Sequence, residues 1–116
     1  MSQSSIITER PEFSSNPLAV RCHPGEVLRE EFLVPLGLSA NKVALALRVP
    51  SNRISDIVNE KRAITPDIAL RLSRYFGTSP ALWINLQSSY DLRLAQANSG
   101  ARIERDVTPI SVATAI

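Results

Sequence analysis

The chain carries one cysteine, one histidine and one tryptophan among its 116 residues. A lone cysteine, Cys22, excludes an internal disulfide and so a stapled secreted scaffold. It suits a reducing, cytoplasmic setting. A lone histidine, His23, cannot build a metal site, and no cysteine or carboxylate cluster joins it. With one histidine and no nucleophile motif, neither an enzyme nor a cofactor is expected. No apolar run is long enough to span a membrane. The first residues lack a basic stretch followed by an apolar one, so no signal peptide is expected. There is no glycine-rich phosphate loop and no internal repeat. The formal net charge is only +2, so total charge does not announce a nucleic-acid partner.

What is present suits one domain with one core. The apolar fraction is 44%, ordinary for a globular protein. Of 13 basic residues, only Lys42 and Lys61 are lysines. Arg48, Arg53, Lys61 and Arg62 stand against Asp56 and Glu60, a local positive excess on a short segment. A solvated helix face would carry the same charges, so this excess does not decide between the two.

Helical periodicity runs through the middle of the chain. Residues 1–20 read as a tail, rich in Ser, Thr, Asn and Pro. A first helix starts at Pro24, with Glu26 in its first turn, and stops near Leu33 because Pro35 opposes helix at Val34. A second starts after the N-cap Ser39 and ends near Leu47, before Pro50. A third spans 51–59. A fourth opens with Thr65, Pro66 and Asp67 and ends at Gly77. A fifth opens with Ser79 and Pro80 and runs to about Ala97, where Asn98-Ser99-Gly100 breaks it. Residues 98–116 then read as a C-terminal tail, with an association-dependent strand as the alternative for Ala101 to Ile116. The expected architecture is all-α, with a domain at 21–97.

Helices two and three have the form of a helix-turn-helix over 39–62. Such a motif needs apolar inner faces to hold its angle. Val43, Ala44 and Leu47 are placed to face Val49, Ile54 and Ile57, with the small Ala44 at the close approach. The second helix of the pair must carry polar side chains into the major groove. Its outer face holds Ser51, Asn52, Arg53, Ser55, Asp56 and Asn59. Asn pairs with adenine, Arg with guanine, Ser with either, and Asp accepts from cytosine or repels phosphate. Asn59, Lys61 and Arg62, at the helix end, suit phosphates. A plain polar face on a small helical bundle is the alternative reading.

Several stretches closely resemble the HigA family of antitoxins, within the wider Cro and lambda-repressor-like (XRE) class. They are His23-Pro24-Gly25-Glu26, Ile64 to Leu72, Tyr75 to Pro80 with Trp83 and Leu86-Gln87, and Tyr90 to Arg93. The resemblance covers about residues 23–97. It implies a small dimeric repressor of a palindromic operator that binds and silences a HigB-like mRNA-cleaving RNase toxin. It places base reading on Ser51, Asn52, Arg53 and Asp56. Phosphate contacts fall on Asn59, Lys61 and Arg62, with Ala40 and Asn41 near the DNA backbone. Two departures stand out. Arg48 and the Asn59-Glu60 pair occupy places where this family commonly has glycine. Asn59 tolerates a positive φ, so it is the expected cap there.

The fifth helix carries more apolar surface than a terminal helix needs, and Leu82, Leu86, Tyr90 and Leu94 are the expected dimer face. Two-fold symmetry would set the two reading helices about 34 Å apart, one turn of DNA. Trp83 is expected in the core, and His23 in a structural role near the first helix. Three function classes stay open at this point: an antitoxin that also represses, a stand-alone repressor, and a helix-turn-helix scaffold that binds only protein.

Overall fold

The computed structural model describes residues 23–111; the expected N-terminal tail, 1–20, lies outside them, as do residues 112–116. The described residues form five helices and no strand. Helix α1 runs from Pro24 through three segments, Pro24–Val27, Leu28–Leu33 and Val34–Leu36. It passes the expected stop near Leu33. Proline inside an α-helix loses a donor and clashes with the carbonyl four residues back. The chain meets that clash by widening rather than by ending. Leu28–Leu33 is a π-helix, and Val34 N–H donates to the Arg29 carbonyl five residues back. Pro35 then fits into the last turn, and Gly37, at φ 65°, closes it.

Helices α2 (Ala40–Leu47), α3 (Ser51–Val58), α4 (Pro66–Phe76) and α5 (Pro80–Asp106) follow. Three start where local chemistry directs. Ser39 accepts from Lys42 N–H at 3.0 Å, Thr65 from Ile68 N–H at 3.3 Å and Ser79 from Leu82 N–H at 3.2 Å. Pro66 and Pro80 take first-turn positions, where their missing N–H costs nothing.

Helix α5 does not break at Asn98-Ser99-Gly100 and continues to Asp106. Glycine costs only about 1 kcal/mol relative to alanine inside a helix. The good helix formers Leu94-Ala95-Gln96-Ala97 and Ala101-Arg102 flank the weak triplet, and propagation carries the helix across it. The expected domain boundary at residue 97 therefore falls within a helix.

The core gathers α1 through the first half of α5. Leu28, Val43, Ala44, Ile54, Ile57, Leu72 and Trp83 are almost wholly buried. Trp83 donates through Nε1 to Thr78 Oγ1 at 2.8 Å, so its one polar atom is satisfied. Gln87, also buried, accepts from Ile64 N–H at 2.7 Å and donates to Asp91 at 3.0 Å. This fastens the segment after α3 to α5. Leu86, expected on a dimer face, is only 6% exposed and belongs to this core. A stripe at helical spacing does not distinguish a residue that packs inward from one that packs on a partner.

Candidate nucleic-acid interface

Val43, Ala44 and Leu47 of α2 pack inward with Ile54, Ile57 and Val58 of α3. Ala44 keeps the two axes close. With its apolar stripe inward, α3 presents its polar residues outward. Ser51 and Asn52 are exposed, and Arg53, Ser55 and Asp56 are half-buried. The Ser55 hydroxyl donates back to the Asn52 carbonyl at 3.2 Å, which leaves its oxygen free to accept. At the start of α2, Ser39 satisfies only Lys42 N–H. The N–H groups of Ala40 and Asn41 have no partner within the helix, the arrangement that receives a phosphate oxygen.

The other end of α3 is more crowded. Arg62 lies 3.5 Å from Asp56, so the acidic residue of this face has a cation beside it. Lys61 is exposed. The left-handed residue is Glu60, at φ 63°, and not Asn59, whose φ is −90°. Lys61 N–H donates to the Asp56 carbonyl at 2.8 Å and Glu60 N–H to the Ile57 carbonyl at 2.9 Å. That is a Schellman turn with Glu60 in the position glycine usually takes. Arg48, at φ 64°, holds the matching place after α2, where Val49 N–H donates to the Ala44 carbonyl at 3.0 Å.

Two arginines outside the motif brace it. Arg71 of α4 donates to the Leu47 carbonyl at 2.8 Å, at the end of α2, and pairs with Asp67 at 2.8 Å. Arg29 of α1 donates through Nη1 to the Val58 carbonyl, at the end of α3, and its Nη2 lies 3.6 Å from Glu60. Its Nε bonds Glu30 at 3.0 Å. The hydrogen bond to Glu30, against a smaller opposing effect of burial and with the charges of Glu30, Glu60 and Glu26 adding to it, pushes the Arg29 pKa further up. Each terminal carbonyl thus meets a fixed positive charge, favourable at a helix C-terminus.

The start of α1 presses directly on α3. A Cβ on Gly25 would lie 1.7 Å from the Ile57 carbonyl oxygen, so only glycine permits this approach. His23 caps α1, its Nδ1 accepting from Gly25 N–H at 2.9 Å. The ring is buried and meets Tyr90 edge-on at 4.9 Å. Burial lowers the His23 pKa, while Glu60 and Asp91 pull it the other way. A neutral ring is the form that can accept this bond.

Sequence reasoning located the outer face of α3 and missed Arg29, Arg71 and Gly25. The Asp67–Arg71 spacing of four was a visible signal for an oriented arginine. A glycine in the first turn of a helix hinted at a close approach. Arg29 offered no comparable signal, since Val58 and Glu60 lie about thirty residues away. Among the described residues, no cluster of His, Cys, Asp or Glu could hold a metal ion, and no helix is long and apolar enough to cross a membrane.

The fold and this exposed face define a helix-turn-helix DNA-binding regulator. A family model described as helix-turn-helix matches residues 28–83. The structure resembles that of the Pseudomonas aeruginosa antitoxin HigA with the higBA promoter, at 47% identity and a TM-score of 0.76, over 78% of this chain and 98% of that one. Virulence-associated protein I of Dichelobacter nodosus is 57% identical over 74 residues, 64% of this chain and 68% of that protein. An HTH-type transcriptional regulator of Haemophilus influenzae is 46% identical over 68 residues, 59% of this chain and 64% of its own length. The chain belongs to the XRE-type helix-turn-helix family that includes the HigA antitoxins, a family of DNA-binding antitoxins and regulators rather than of enzymes.

Proposed function

We propose that this chain is the antitoxin of a toxin–antitoxin pair, a cytoplasmic dimer that represses its own operon and neutralises a HigB-like mRNA-cleaving RNase. The observation that carries the reading is the outward polar face of α3 beside the free N–H groups of α2, on a chain 47% identical to an antitoxin solved with its operon promoter. In this reading Ser51, Asn52, Arg53, Ser55 and Asp56 meet base edges. Ala40, Asn41, Asn59, Lys61 and Arg62 meet phosphates. Dimerisation uses α5, where Leu82 and Leu94 are 36% and 47% exposed and Tyr90 is half-buried. Leu86 takes no part, being in the core.

Co-expression with the product of the adjacent gene tests this directly. The expected result is a co-purifying pair that shifts a duplex from the shared promoter, together with a free chain that runs as a dimer. A monomer that binds no partner and no inverted repeat would contradict it. A stand-alone repressor is the second reading, favoured by the Haemophilus influenzae relative, which is named only as a transcriptional regulator. It is distinguished by operator binding with no toxin frame beside the gene.

A further inference from the structure

The turn that ends the reading helix places a glutamate where the backbone asks for glycine. Glu60 sits at φ 63°, in the left-handed region. A side chain there is strained, and such a residue persists only where its surroundings hold it. The holder is Arg29. One guanidinium donates to the last carbonyl of α3, at Val58, and stands 3.6 Å from the Glu60 carboxylate. The planar fork of arginine holds two acceptors in one fixed geometry, which the rotatable point charge of a lysine does not reproduce. The same contact draws the Glu60 charge toward α1, away from the phosphates that Lys61 and Arg62 would meet.

We propose that Arg29 is a positioning residue for DNA binding: it clamps the Glu60 turn closed and so sets the direction in which Lys61 and Arg62 leave the reading helix. The inference depends on the reading that residues 51–62 dock on DNA. Arg29 itself touches no DNA in this scheme. Its effect passes through the turn, so removing the strain at residue 60 removes the need for the clamp.

The test compares the full chain with Arg29→Ala, Glu60→Gly and the double variant. Arg29→Lys serves as a milder fourth, keeping the charge and losing the fork. Affinity for a duplex from upstream of the chain's own gene is measured across a salt series, with melting temperature read separately. Each phosphate contact contributes about −0.9 to the slope of log K against log salt, equivalent to about 5-fold in affinity near 0.15 M. Arg29→Ala and Arg29→Lys are expected to flatten the slope by one to two contacts, and the double variant to recover the wild-type slope. Lost stability alone would leave the slope unchanged. Amide exchange at Glu60 and Lys61, without DNA, reads the turn itself. It should quicken in Arg29→Ala and slow again in the double variant. A wild-type slope in Arg29→Ala would overturn the proposal, as would equal losses in the single and double variants. A wild-type chain that binds no duplex would sink the DNA reading and the positioning role with it. The exchange measurement would still report on the clamp separately.

Discussion

Replacing Gly25 with alanine should damage this domain far more than its single added methyl suggests. At an unobstructed helical site the same change stabilises, by up to about 1 kcal/mol, because alanine is the better helix former. At Gly25 the new Cβ would lie 1.7 Å from the Ile57 carbonyl oxygen and 2.7 Å from its carbon, while ordinary contact begins at 3.4 Å. Both atoms are backbone of α3 and cannot rotate away. Helix α1 must therefore part from α3, loosening the packing of Leu28 and Ile57, which are both fully buried. Overpacking of this kind costs typically 1–3 kcal/mol, and an unyielding backbone puts Gly25 near the top, at about 3 kcal/mol. For a domain of this size that is a fall in melting temperature of roughly 12–24 °C. Gly100→Ala is the internal control, since a Cβ there meets only Gln96 Cβ, at 3.8 Å. Thermal unfolding and helicity, both followed by far-ultraviolet circular dichroism, should show the two changes with opposite signs. A Gly25→Ala variant that melts with the wild type would refute the close approach of α1 to α3.

Two further perturbations follow from the same geometry. His23 has a folded pKa below its ordinary 6.5 and must stay neutral to cap α1. As pH falls below 6.5, the unfolded chain takes up a proton that the folded chain resists, so stability declines until the lowered folded pKa is reached. Urea unfolding between pH 8 and pH 5.5 should show this loss, and His23→Asn, which can cap without titrating, should flatten it. Arg48 sits exposed at φ 64°, so Arg48→Gly should relieve left-handed strain. Glycine's greater freedom in the unfolded chain offsets part of that gain. A net rise of about 0.5–1 kcal/mol in unfolding free energy is expected, read from a higher denaturant midpoint, and a fall would show that the Arg48 side chain contributes more than its backbone costs.

The helix starts were legible because their causes are local. Ser39, Thr65 and Ser79 each bond an N–H three residues on, and Pro66 and Pro80 need no distant partner to fit the first turn. The polar outer face of α3 was legible for a related reason, since burying Ile54 and Ile57 leaves Asn52 and Arg53 turned outward. What escaped the sequence depended on hydrogen-bond register or on distant chain. Pro35 forbids an α-helical bond, but nothing local reveals that the preceding turn will widen to absorb it. Asn98-Ser99-Gly100 is a breaking pattern by composition, yet its modest cost loses to propagation from both sides. The left-handed residue was expected at Asn59 on intrinsic tolerance. It falls on Glu60 because the Schellman register and Arg29, thirty-one residues earlier in the chain, fix it there. Leu86 shares its spacing with Leu82 and Leu94, and only the packed fold shows that it turns inward.

DNA reading by the outer face of α3 is tested most directly by one measurement. Fluorescence anisotropy would compare the full chain with Asn52→Ala and Arg53→Ala on a duplex from upstream of its own gene and on a scrambled duplex of equal length. Each bidentate base contact is worth about 1–3 kcal/mol of discrimination. Both variants should lose about 5- to 150-fold of their preference for the promoter duplex, with melting temperatures and binding to the scrambled duplex unchanged. Promoter preference that survives intact in both variants would contradict the assigned reading face.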